Sequence, residues 1–124
     1  MNPLTTCDLL ACARELLLSE LLPALPPQQH YEARMIANAL AIAGREIEHS
    51  PACAQVQASA LNSVLALQGQ GPLPGVQAQV LVSEQIRQGE YDAPGAAQHS
   101  LLAALQCITE ARLNINNPKA LRHE

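Results

Sequence analysis

Proline and glycine fall in clusters along this sequence, and the chain between the clusters follows a helical period. The breakers are Pro23, Pro26-Pro27, Ser50-Pro51, the loop from Gly69 to Gly75, Gly89, Pro94-Gly95 and Asn116-Asn117-Pro118. A proline removes a backbone donor, and a glycine supplies the left-handed turn that closes a helix. The stretches between them are long enough for helices, and none alternates apolar and polar residues for more than a few positions. Alanine and leucine make up about a third of the residues, and there are two Tyr, no Phe and no Trp. That composition suits thin layers of closely packed helices.

Five helices are predicted. The first runs over about 4–22, with Thr5 or Thr6 as N-cap and Asp8 in its first turn, and Pro23 stops or kinks it. The second runs from Pro27 to His49 and ends where Ser50-Pro51 begins another, over 51–68, closed by Gly69. The fourth covers about 74–88 and is closed by Gly89. The fifth covers about 94–115 and ends at Asn116-Asn117-Pro118, after which the last six residues are expected to fray. Short connections favour antiparallel neighbours, so the expected fold is an all-α, up-and-down helical bundle of four to five helices in one domain, 1–124.

The net charge of −4 argues against a nucleic-acid binder, which needs a basic stripe and, for single strands, stacking aromatics. Charges interrupt every apolar run before it reaches the length of a membrane span. The N-terminus lacks the basic start and cleavage site of a signal peptide, so the chain is expected in the cytoplasm. Cysteines 7, 12, 53 and 107 form no Cys-x-x-Cys pair and read as small hydrophobes.

The second helix holds the candidate site. On a wheel at about 100° per residue, Tyr31, Met35, Ile36, Ala39, Leu40, Ile42, Ala43 and Ile47 spread over half the circumference, which predicts a central helix. Arg34, Asn38 and Arg45 form a polar stripe within roughly 40° of one another, beside the small residues Ala37, Ala41 and Gly44. The structural reading is that the stripe bonds neighbouring helix ends or meets water. The functional one is that its guanidiniums, Arg34 and Arg45, grip a carboxylate or phosphate. The end of the fifth helix leaves up to four carbonyls without helical partners. Arg34 and Asn38 are therefore expected to tie that end, or the Asn117 loop, to the second helix. Arg45, about 16 Å further on, is expected to face solvent or an interface.

No nucleophile elbow, phosphate loop or dinucleotide fingerprint is present. Glu46-x-x-His49 has the spacing of a di-iron ligand pair but lacks its second copy. His49 and Cys53 are set aside as a ligand pair because a helix break is predicted between them. Nothing amounts to a catalytic set, so no enzyme activity, cofactor or metal is expected.

Several segments together resemble a known family. Leu21-Leu22-Pro23-Ala24-Leu25 is followed by Tyr31-Glu32-Ala33-Arg34-Met35-Ile36-Ala37-Asn38-Ala39-Leu40. Ile86-Arg87-Gln88-Gly89-Glu90-Tyr91-Asp92 and Ala111-Arg112-Leu113-Asn114-Ile115-Asn116-Asn117-Pro118-Lys119 come later. These resemble a bacterial family of small helical domains of unknown function. Its members are often encoded beside aminoglycoside-phosphotransferase-like kinases and acyl-CoA dehydrogenases. The resemblance implies an accessory protein linked to acyl-CoA metabolism, with a kinase-like or acyl-CoA dehydrogenase partner. Where that family tends to carry a His, this chain has Glu32. Two functions are thus carried forward, a non-enzymatic interaction domain and a small-ligand binding bundle. The surplus of apolar helix surface also predicts a homodimer.

Overall fold

The computed structural model describes residues 4–121. It is all-α: helix α1 spans Thr6–Leu16, α2 His30–Ala66, α3 Gly75–Arg87 and α4 Ala96–Asn116, with no strand among the described residues. The chain divides into two compact units. The first is Met1–Ser50 with Ile115–Asn117, and the second is Pro51–Asn114 with Pro118–Glu124.

In the first unit α1 begins at a reciprocal cap. The Asp8 N–H donates to Thr5 Oγ1 at 3.0 Å, and the Thr5 N–H donates to Asp8 Oδ2 at 3.0 Å. Two first-turn donors are satisfied at once. The helix then widens into a π-turn over Leu17–Leu21 and runs on as one further turn, Leu22–Ala24. Pro23 therefore does not stop the helix. It has no N–H for the carbonyl four residues back, and the wider turn, where the Leu22 N–H reaches Leu17 O, accommodates that gap. Leu25 turns extended at ψ 152° ahead of Pro26, the conformation a following proline enforces. A 3₁₀ turn, Pro27–Gln29, leads into α2.

The predicted break at Ser50-Pro51 does not occur. Helix α2 continues through Pro51 for 37 residues in all. An interior proline costs about 3 kcal/mol in a helix, a loss that packing of the flanking turns can offset. The break in sequence marks instead the border of the two units.

The second unit contains the end of α2, α3 and most of α4. Its core joins Leu61, Val64, Leu65, Ala78, Val82, Tyr91, Leu101 and Ala104. Gly69 and Gly89 close α2 and α3 in left-handed conformation, at φ 81° and 80°. In each case the next N–H reaches back five residues, Gln70 to Leu65 O and Glu90 to Gln85 O, both at 3.1 Å. Asn62 pins the loop after Gly69: its amide donates to Leu73 O and accepts from the Leu73 N–H, each at 2.9 Å. The tail expected to fray forms a 3₁₀ turn over Pro118–Leu121, and its last three residues lie outside the described ones.

Candidate functional site

The wide apolar face of α2 is not its packed face. In the first unit the side chains of α2 that are buried are Ala33 and Ala37, while Tyr31 is 69% exposed, Met35 52%, Ile36 54% and Ile47 46%. The expectation of a central helix fails for this part of α2. Small side chains let a neighbouring backbone approach, so the strip of small residues takes the contact and the large ones are left outside. Close approach of α1 shows at Gly44, whose carbonyl accepts a weak bond from Cys7 Sγ at 3.6 Å.

The polar stripe separates into one anchored residue and two outward ones. Arg45 Nε donates to Ile115 O at 2.7 Å, in the last turn of α4. Arg34 and Asn38 are exposed, and so is Asn117. The capping role assigned to Arg34 and Asn38 therefore belongs to Arg45, the member expected to face away. The physics anticipated for the helix end holds: a cation meets an orphan carbonyl at the negative pole of the dipole. The level along the axis was wrong. All three residues point the same way around α2, so only the height at which the α4 end arrives selects among them, and a wheel carries no height.

Arg45 also lines a cleft of about 720 Å³ in the first unit, with Arg14 and Asp8 from α1 and Leu40, Ala41 and Glu48 from α2. Arg34 does not line it. Two guanidiniums and two carboxylates thus share the walls. The Asp8 carboxyl is held below its usual value, first by the backbone N–H of Thr5 and then by its side chain. Asp8 is thereby committed to the cap of α1.

Among the described residues no three His, Cys, Asp or Glu side chains gather as metal ligands. The helix break invoked against His49 and Cys53 is absent. Cys53 is buried and takes a contact from Arg112 Nη1 at 3.9 Å, whereas His49 is exposed. In the second unit a polar chain runs inward from exposed Gln68, whose Nε2 donates to Tyr91 Oη at 3.0 Å, and Tyr91 Oη donates to buried Gln85 Oε1 at 2.5 Å. Burial pushes the Tyr91 phenol above its usual value, although the bond from Gln68 lowers it somewhat. Sequence reasoning missed this pair of glutamines; a tyrosine just beyond the Gly89 cap, in a chain so poor in aromatics, was the available signal.

Residues 23–120 match a domain of unknown function, DUF6285, and the chain belongs to that family. All of α1 precedes the matched residues. No curated protein and no solved structure matches the chain. No described helix is long and apolar enough to cross a membrane.

Proposed function

We propose that this domain is a non-catalytic accessory module that works by binding another protein. One observation carries the reading: the first part of α2 leaves Tyr31, Met35, Ile36 and Ile47 46–69% exposed, while the side chains it buries are Ala33 and Ala37. Large apolar side chains left in solvent along one helix point to an interaction site. The family resemblance names the partner classes to try first, an acyl-CoA dehydrogenase or a kinase-like protein encoded nearby, in the cytoplasm. The test is co-expression with each such neighbour, followed by size-exclusion chromatography. A complex that forms with the native chain and is lost on Met35→Glu supports the reading. A chain that elutes alone beside every neighbour sets it aside.

The cleft favours a second reading, a small carboxylate or phosphate held by Arg45 together with Arg14 rather than Arg34. Arg45 is pre-oriented by its bond to Ile115 O, which leaves its terminal N–H groups for a ligand. Glu48, and Asp8 beyond its cap, weigh against an anion there. Thermal shift against phosphate, acetate, CoA and acyl-CoAs tests it, since ligand at 100 times Kd adds about 2.7 kcal/mol. A flat response across the panel removes it.

A further inference from the structure

We infer that the cleft between α1 and the first part of α2 receives a compact zwitterion, an α-amino acid with an apolar side chain, whose carboxylate meets Arg14 and Arg45 and whose ammonium meets Glu48. This rests on the small-ligand reading of the cleft and names the ligand class. The cleft runs between one stripe of α1, from Cys7 to Arg14, and one stripe of α2, from Ala41 to Glu48. On each helix four of the lining positions fall at i, i+3, i+4 and i+7, so each stripe is a single face. All of them belong to the first unit. The volume of about 720 Å³ lies within the range of small-molecule sites, roughly 300–1,000 Å³.

The walls carry opposite charges that do not pair with one another. Among the described residues no hydrogen bond or ion pair joins Arg14 or Arg45 to Asp8 or Glu48. Arg45 and Glu48 stand at i and i+3, a spacing at which opposite charges on a helix can meet. The bond from Arg45 Nε to Ile115 O draws the guanidinium to the end of α4 instead. Glu48 Oε2 lies 3.9 Å from His49 Nε2, beyond hydrogen-bond length. Asp8 is spent on the cap of α1. An anion alone meets the arginines but is opposed by Glu48, and a cation alone meets the reverse. A ligand that carries both charges satisfies each wall. The separation of Arg45 from Glu48, about 5–6 Å between Cβ atoms, fits charges only a few bonds apart. A guanidinium takes a carboxylate through two parallel bonds, and an ammonium offers three donors to Glu48. Leu10, Ala11, Leu40 and Ala41 supply apolar wall for the ligand's side chain.

The test is an NMR titration of the isotope-labelled full chain with three probes. They are L-leucine, N-acetyl-leucine, which lacks the ammonium, and leucinamide, which lacks the carboxylate. L-leucine is expected to bind about tenfold tighter than either, the fold-change of one charge-assisted hydrogen bond at a partly exposed site. Its shifts should centre on residues 7–14 and 40–48, the walls of the cleft. Glu48→Gln is expected to erase the advantage of L-leucine over N-acetyl-leucine. Arg14→Gln is expected to weaken both about tenfold. Both changes fall at exposed positions, and circular dichroism should stay unchanged. N-acetyl-leucine binding as tightly as L-leucine overturns the inference and leaves the anion reading standing. A preference for L-leucine that survives Glu48→Gln, or shifts confined to other residues, also overturns it. Binding of none of the three, with phosphate or acetate still bound, overturns it and again spares the anion reading. A flat response to all five removes both.

Discussion

The end of α2 buries large side chains, and its beginning buries small ones. Leu61, Val64, Leu65 and Val82 are at most 4% exposed, and an aromatic ring, Tyr91, is sealed beside them. In the α2 part of the first unit the buried side chains are alanines, and a tyrosine, a methionine and two isoleucines stand outside. No residue of α1 is buried. A fully buried leucine contributes roughly 1.5–3 kcal/mol through its hidden area, and a buried alanine far less. One helix thus closes a core of large side chains at its end and leaves large side chains outside at its beginning. That beginning is where a function should be sought.

The largest expected effect tests that contrast directly. Leu65→Ala removes a side chain with no exposed area and should lower stability by about 2–5 kcal/mol in urea unfolding. Met35→Ala should stay within about 0.5 kcal/mol. Similar losses for the two would mean that the first unit is packed as tightly as the second. Next is Tyr91→Phe, which leaves buried Gln85 without its donor and should cost about 1–3 kcal/mol. The native tyrosine adds a pH signature. Its phenol is raised in the fold, so its contribution is complete below the ordinary value of about 10 and is lost as pH rises through the folded value. The Phe variant should lack that alkaline component.

Arg45→Gln should cost roughly 1–2 kcal/mol by releasing Ile115 O, whereas Arg34→Gln at an exposed position should be close to neutral. An equal effect at both would return the helix-end contact to Arg34. The smallest effect sits at the start of α1. Asp8 is depressed by its bonds from Thr5. Its contribution is present above the ordinary value of about 3.9 and is lost as pH falls through the lower folded value. Asp8→Asn should therefore flatten the acid end of the melting-temperature profile without moving the neutral end as strongly.

Those features that depend on a few consecutive residues were legible in the sequence. Thr5 with Asp8, Gly69, Gly89 and the Asn116-Asn117-Pro118 stop all place helix ends near where they occur, because capping chemistry is settled within one turn. Features that depend on what lies opposite were not. The wheel of α2 set Arg34, Asn38 and Arg45 apart from the large apolar residues, but hydrophobicity alone assigned the inward side to the large ones. Close helix approach selected Ala33 and Ala37 instead. Arg34, Asn38 and Arg45 share a direction, so the partner's height decided which one is anchored. Pro51 read as a stop because the cost of one missing bond is visible in sequence, while the packing that can offset it is not.

That proline leaves a mark of its own. Lacking an N–H, it gives the Ile47 carbonyl no donor four residues on, at the junction between the two units. A continuous helix with one missing rung can unzip on one side without dragging the other along. Native-state hydrogen exchange along α2 should then show two levels of protection within a single helix: faster amides before Ser50, and slower ones from Leu61 to Ala66, where the core is closed. A partner seated on the first part of α2 would be read as a rise of its protection toward that of the later part.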